Sequence, residues 1–286
     1  QFAYSYRLNL NTSFSGDDNL YVRLLSGSHT KTAWMADSND GGYLSSVGKT
    51  EALTVDKIWY SFPVGENYTV WVGPKIENYY MHGTAPSIYK PVTKQFTLGG
   101  NGNAYGASTD TGAGVAYKGD NGFAVSSNVG TKSTSTTSGT NTGLFTNESK
   151  TSWATQFGYT QPQYSVSAIV NIKYNGWSDG YLHTENADDS VFNKGNHTAY
   201  GLRGWWRPEE TGSATPSISL GYDTTEYHGV ESGTSSSDMW FVGLQWQDIF
   251  NADDKIGLAL AQPTMHDDET SAPLAYELYY SYPAND

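Results

Sequence analysis

Apolar and polar residues alternate with a period of two along nearly the whole chain. From Phe2 to Phe14, Tyr4, Tyr6, Leu8, Leu10, Thr12 and Phe14 share one face, with Ser5, Arg7, Asn9, Asn11 and Ser13 opposite. In 164–174, Tyr164, Val166, Ala168, Val170, Ile172 and Tyr174 oppose Ser165, Ser167, Asn171 and Lys173. Tyr200, Leu202, Gly204 and Trp206 oppose Gly201, Arg203, Trp205 and Arg207, and Trp240, Val242, Leu244 and Trp246 oppose Gly243, Gln245 and Gln247. In 274–282, Leu274, Tyr276, Leu278, Tyr280 and Tyr282 oppose Glu277 and Ser281. A helix would scatter these apolar residues around its surface, whereas a strand gathers them on one side.

Further strands are expected at 19–25, 52–62, 67–73, 112–118, 122–130, 151–160, 215–223 and 255–262, thirteen in all. In 52–62 the neighbours Asp56 and Lys57 prevent a clean assignment of faces, which a bulge or a protruding strand end would explain. No helix and no internal repeat beyond the hairpin rhythm is expected. Short connections at 15–18, 64–66, 119–121, 161–163, 208–214 and 250–254 alternate strictly with long ones at 26–50, 74–111, 131–150, 175–197, 224–237 and 263–273. In a sheet of consecutive antiparallel strands, every second connection lies at the same end. All short turns then share one end and all long loops the other, the layout of a transmembrane β-barrel.

Aromatic residues support the same layout. Phe14, Tyr60, Phe62, Tyr68, Tyr117, Phe123, Tyr159, Tyr164, Trp206 and Tyr282 lie beside short turns. Tyr4, Trp153, Tyr174, Tyr200, Tyr222, Trp240 and Tyr276 lie towards the long loops. Two such rings around an apolar band suit membrane–water interfaces. A soluble sandwich would place aromatics in its core and gives no reason for alternating connection lengths.

Composition changes the picture in three ways. Only 37% of the 286 residues are hydrophobic, yet 14% are aromatic, which is too aromatic for a disordered chain. No apolar run approaches the ~18 residues of a membrane-spanning helix, and this leaves a barrel open because its strands average out as polar. Without cysteine there is no disulfide or thiolate metal site, and the net charge of −13 argues against nucleic acid as a partner. Gln1 does not begin a signal peptide, so a mature, processed or cut start is expected.

All four arginines, Arg7, Arg23, Arg203 and Arg207, are expected on strands, on the face opposite the apolar stripe, together with Lys173. A charge on the lipid face near the midplane costs about 2–4 kcal/mol, so these residues should line the lumen. There they either favour anions or brace the wall by pairing with acids such as Glu277. The longest connection, 74–111, holds Tyr79, Tyr80, His82, Tyr89, Lys90, Pro91, Lys94 and Phe96. Connections of this length are usually functional, and this one is expected to fold inward as a constriction, with a further hairpin conceivable inside it. Loop acids, including Asp17, Asp18, Asp37, Asp40, Asp179, Glu185, Asp188, Asp189, Glu226, Glu231, Asp267, Asp268 and Glu269, are expected to be mainly solvated. His266-Asp267-Asp268-Glu269 could be drawn as a metal site, but a solvated loop tip is the stronger reading. No catalytic residue, metal or cofactor is expected, since no nucleophile elbow, triad order or phosphate-binding loop is present.

Several stretches are similar to one known family. Tyr6-Arg7-Leu8-Asn9-Leu10-Asn11-Thr12-Ser13-Phe14-Ser15-Gly16 and Leu20-Tyr21-Val22-Arg23-Leu24 resemble the first hairpin of cyanobacterial outer-membrane porins of the OprB family, carbohydrate-selective or iron-uptake porins. Val55-Asp56-Lys57-Ile58-Trp59-Tyr60-Ser61-Phe62-Pro63-Val64-Gly65 and Tyr68-Thr69-Val70-Trp71-Val72-Gly73 resemble the second. Tyr200-Gly201-Leu202-Arg203-Gly204-Trp205-Trp206-Arg207-Pro208 and Ala259-Leu260-Ala261-Gln262-Pro263 also fit the pattern. The resemblance implies a sixteen-stranded, trimeric barrel with its final strands beyond Asp286. Attachment to peptidoglycan would run through an N-terminal domain outside these residues.

The expectation is therefore one all-β domain over 1–286, an antiparallel transmembrane β-barrel in the cell outer membrane. It would contact lipid and lipopolysaccharide and pass small hydrophilic solutes or ions, sugars and iron species among them. The rivals are a soluble carbohydrate-binding or hydrolytic β-protein and a surface adhesin barrel without an open channel.

Overall fold

The computed structural model describes residues 3–28, 50–106, 109–132, 149–177, 195–229, 234–271 and 274–283. Thirteen strands form one antiparallel sheet in sequence order: β1 Ser5–Thr12, β2 Asn19–Gly27, β3 Thr54–Val64, β4 Tyr68–Glu77, β5 Thr109–Lys118, β6 Phe123–Lys132 and β7 Lys150–Thr160. They continue as β8 Tyr164–Tyr174, β9 Asn196–Trp206, β10 Ser217–His228, β11 Ser236–Gln247, β12 Lys255–His266 and β13 Ala275–Ser281. Each expected segment forms a strand.

The strands outrun their alternating pattern at the long-connection ends. β4 continues to Glu77, β10 to His228 and β12 to His266. Alternation is written only where one face meets an apolar phase; beyond it the count of two lapses while the backbone ladder carries on. The connection 229–235 is consequently shorter than the turn 207–216, so connection lengths do not alternate strictly. Among its described residues, segment 74–111 contains no hairpin. β4 fills its start, β5 its end, and between them lie short 3-10 helices at Asn78–Met81, Lys94–Gly99 and Asn103–Tyr105, which the strand pattern had not suggested.

The ambiguous region around Asp56 is a β-bulge. Arg23 faces Lys57 and Leu24 faces Val55, so Asp56 is the extra residue. The bulge carries its carboxylate to Arg23, with which it forms an ion pair. A second irregularity brackets Pro74, where the pairing jumps from Gly73–Gly112 to Ile76–Asp110. Proline has no N–H to give the ladder, and bulges accommodate it.

One face of the sheet is apolar and exposed. Leu8, Leu10, Val72, Val115, Val166, Leu202, Leu220, Leu258 and Leu278 all lie on it. Tyr68 pairs with Tyr117, Phe123 with Tyr159, and Tyr164 with Trp206 at the short-turn end. At the other end Tyr222 pairs with Trp240, and Tyr174, Tyr200 and Tyr276 are exposed. Tyr164 and Tyr174 close the two ends of β8. At ~3.3 Å per residue they are ~33 Å apart along the strand, or ~25 Å after a ~40° tilt, the height of a barrel's apolar band.

The opposite face receives residues 78–106, and these show that the sheet curls. Thirteen flat strands ~4.8 Å apart would separate β1 from β13 by about 58 Å. Yet Thr93 donates to Glu277 on β13 at 2.6 Å, while Lys94, the next residue, lies within electrostatic reach of Arg7 on β1 and Arg23 on β2. The two ends therefore approach each other around the segment. Among the described residues β1 pairs only with β2 and β13 only with β12.

A local repeat escaped the sequence reading. Phe14-Ser15-Gly16-Asp17-Asp18 and Phe250-Asn251-Ala252-Asp253-Asp254 occupy equivalent short turns. Asp18 accepts from the backbone N–H of Phe14 and Ser15, and Asp254 from Ile249, Phe250 and Asn251. Each also receives a tyrosine hydroxyl from the strand beyond its hairpin, Tyr60 at 2.6 Å and Tyr280 at 3.1 Å. Asp18 is thus a turn clamp, and not the solvated acid expected of it.

Candidate functional site: the segment across the inner face

Irregular backbone inside a sheet has no ladder of its own, so its polar groups need side-chain partners. The inner face supplies them. Gly83 N–H donates to Ser126 on β6 at 3.1 Å. Thr84 exchanges two bonds with Gln156 on β7, at 2.9 and 3.0 Å. Ile88 and Tyr89 N–H both donate to Ser219 on β10 at 3.2 Å, and Lys90 N–H donates to Gln245 on β11 at 2.8 Å. Tyr279 on β13 donates to the Lys90 carbonyl at 2.5 Å.

Glu277 gathers the far end of this path. Its carboxylate accepts from the Tyr89 hydroxyl at 2.9 Å, from Val92 N–H at 3.1 Å, and from the N–H and hydroxyl of Thr93. The chain then doubles back. Phe96 packs with Tyr89, Met239, Phe241, Ala259 and Ala261. Asn103 and Ala104 reach β8 and β10: Lys173 donates to the Asn103 carbonyl at 2.7 Å, Asn171 to that of Ala104 at 3.2 Å, and Ala104 N–H to Asp223 at 3.1 Å.

Small inner residues let the segment approach this closely. A Cβ on Gly221 would run into the carbonyl of Gly99. A Cβ on Gly201 would come within 2.8 Å of the Ala104 methyl. In a strand, glycine often marks such a backbone approach.

The cations fall into two groups. On β9, Arg203 is buried, pairs with Asp223 at 2.5 Å, donates to the Leu98 carbonyl at 3.0 Å and lies over the Tyr105 ring at 4.4 Å. On the other side, Arg23 pairs with Asp56 and Lys57 with Glu77. Lys94 faces this second group. Burial holds its ammonium below the usual lysine range, Glu77 opposes that effect, and Arg7 and Arg23 reinforce it. Tyr80 packs tilted against Trp59 at 4.5 Å and Tyr79 at 4.4 Å between ring centroids, walling the same corner.

His82 is buried deep in the segment, 3.3 Å from the Asn128 amide and edge-on to the Tyr105 ring at 5.5 Å. Its burial pushes the imidazole down to about 3. Arg207 departs from its expected place, for β9 ends at Trp206. Its Nε donates to the Pro162 carbonyl at 2.7 Å, at the short-turn rim. Lys90 is exposed near the same rim.

Sequence reading missed the acids that pair with the expected cations. Asp223 shares a face with Ser219 and Gly221 by the same count of two that placed Arg203, so that pairing was within reach. Asp56 was hidden by the bulge, which breaks the count. His266 ends β12, buried against the Tyr227 ring at 5.6 Å, and Asp267 accepts from Ser235. Among the described residues no group of three or more His, Asp or Glu side chains could hold a metal ion. Asp37, Asp40, Asp179, Glu185, Asp188, Asp189 and Glu231 lie outside the described residues.

No protein-family model matches the chain, and no curated protein matches it. Solved structures do. The chain is similar to OprB of Pseudomonas putida, determined at high pH, with a TM-score of 0.63 and 11% identity over 93% of this chain and 69% of that one. It also aligns with the outer-membrane channel DcaP of Acinetobacter baumannii, with a TM-score of 0.49 and 8% identity over 96% of this chain and 82% of the other. The likeness to OprB shows the fold, a porin-type β-barrel wall.

Proposed function

We propose that the chain is the barrel of an outer-membrane porin of the OprB type, a passive route for small hydrophilic solutes and ions that performs no covalent chemistry. One observation carries this reading. The sheet presents an apolar band between aromatic rings on one face and buried polar side chains on the other, the arrangement a lipid-embedded, water-filled barrel needs. Lipid and lipopolysaccharide would surround it, three copies would assemble as a trimer, and the first two hairpins favour the cyanobacterial members of the family. Sugars and iron species are among the solutes this implies.

In this reading residues 78–106 narrow the lumen, with Tyr79, Tyr80, His82, Lys90 and Lys94 on the narrowing segment. Arg203, Lys173 and Glu277 hold that segment in place. The open passage runs between it and β1–β3, where Ser5, Asn9 and Asn11 are exposed on the inner face. Among the described residues Arg7, Arg23, Lys57 and Lys94 outnumber Asp56 and Glu77 there, so the passage favours anions.

Reconstitution into planar bilayers tests the function. Discrete conductance steps from purified protein are expected, with reversal potentials shifted towards anions in dilute salt. A folded, membrane-inserted protein without steps would favour the adhesin barrel, and a protein that stays monodisperse without detergent would favour the soluble rival.

A further inference from the structure

A second feature of the inner face lies where the narrowing segment meets the short-turn rim. At the short-turn end, below residues 84–90, lies a pocket of about 340 Å³. Lys90, Arg207 and Lys255 line it, together with Gln245, Gln247 and the hydroxyl-bearing wall of turn 207–216. Its lining residues include no carboxylate, and Glu209 and Glu210, in the same turn, are exposed and outside the lining.

The cations come from three separate elements, two of them placed through the backbone and the third through its guanidinium. The Lys90 backbone is pinned on both sides, its N–H to Gln245 and its carbonyl to Tyr279. Arg207 is tethered through Nε to Pro162 and lies 5.9 Å from the Trp205 ring. Lys255 opens β12 on the inward parity of Gly257 and Ala259, opposite Gln247 of β11. Three cations around one concavity with no lining carboxylate suit an anion, and Arg and Lys are the side chains that bind phosphate and carboxylate.

We infer that this pocket binds a small phosphorylated or carboxylated polyol. The cations take the anionic group, while the glutamine amides and the serine and threonine hydroxyls match the donors and acceptors of sugar hydroxyls. Ile88 and Pro208 offer apolar surface for the carbon skeleton. The volume exceeds what a bare inorganic ion needs and lies at the lower end of the range of small-molecule sites. The inference rests on the porin reading only for which side of the membrane the pocket faces.

Glucose 6-phosphate is the probe, titrated against the full chain in detergent by calorimetry and by Trp fluorescence, which Trp205 places beside the pocket. Saturable binding is expected, weakening as salt is raised, with glucose and inorganic phosphate each at least tenfold weaker. The pair Arg207→Gln and Lys255→Gln should weaken glucose 6-phosphate at least tenfold while the circular dichroism spectrum stays unchanged. No saturable binding, glucose or phosphate binding as tightly, or a double variant with undiminished affinity each overturns the pocket. Should the double variant misfold, Lys90→Gln supplies the same comparison. Conductance is read in parallel: steps without binding remove the pocket and leave the porin, and binding without steps does the reverse.

Discussion

The N–H and the hydroxyl of Thr93 both donate to one oxygen of Glu277, at 2.6 and 2.8 Å, joining the middle of the inner segment to the last described strand. Hydrogen bonds to a charged acceptor contribute about 1.5–3 kcal/mol each, and removing the acceptor strands its donors. Glu277→Ala should therefore loosen the segment at β13. Single-channel recordings should show higher and noisier conductance, and the melting temperature should fall. Glu277→Gln, which keeps one acceptor oxygen, should lie between the two. Identical traces for all three proteins would mean that this bond does not hold the constriction.

Replacing 79–106 with a tight turn should raise conductance severalfold. Gly221→Val offers a milder route to the same end, since its side chain would enter the space of the Gly99 carbonyl and lift the segment from β10. If the truncated protein inserts into bilayers with unchanged conductance, the segment lies clear of the conducting path.

The wall was legible in the sequence, and the furniture inside it only in part. Thirteen strands could be read because lipid on one side imposes a strict count of two on residues such as Val166, Leu202 and Leu278. The count failed where that constraint lapses, at the strand ends beyond Gly73, Asp223 and Gln262, and at the Asp56 bulge. Segment 78–106 was legible as unusual from its aromatic content, but its route was not, because its partners are single inner residues on strands far apart in sequence. Ser219 and Gln245 look like ordinary polar positions until a backbone N–H is found against each.

The repeated turn gives a test of equivalence. The Ser13 hydroxyl, then Tyr60 and the turn N–H groups, hold the Asp18 carboxylate below the usual aspartate range, and at Asp254 burial is outweighed by its turn N–H groups and Tyr280 to the same effect. Exchanging residues 14–18 with 250–254 should leave a folded barrel, judged by resistance of the unheated protein to unfolding in detergent electrophoresis. Asp18→Ala should lower that resistance, and Tyr60→Phe should do so less. If the exchange unfolds the protein as readily as Asp18→Ala, the two turns are alike in sequence only.

Acid should loosen the constriction. Burial favours neutral His82, whose folded pKa of about 3 stands below the ordinary 6.5. A depressed folded value means that seating is complete above about pH 6.5 and is lost progressively as pH falls towards 3, because the released imidazole takes up a proton that the seated one refuses. Conductance should therefore rise between pH 7 and pH 4, and His82→Gln should flatten that rise. An equal response in the variant would assign the acid effect to carboxylates elsewhere.

Selectivity separates the two groups of cations. Arg203 and Asp223 neutralise each other, so neither presents net charge to a passing ion. Arg203→Gln should destabilise the protein by about 3–5 kcal/mol, the cost of leaving a buried partner uncompensated, and Asp223→Asn added to it should recover much of the loss. The reversal potential of the double variant should match wild type. Lys94 lies within electrostatic reach of Arg7 and Arg23, with Glu77 the acid that opposes them. Lys94→Gln should shift the reversal potential towards cations in dilute salt. In 1 M salt, where the Debye length falls to about 3 Å, the shift should nearly vanish. Measuring both variants across a salt gradient decides the matter: a shift from the Arg203/Asp223 pair and none from Lys94 would put the conducting path on the β9–β10 side of the segment.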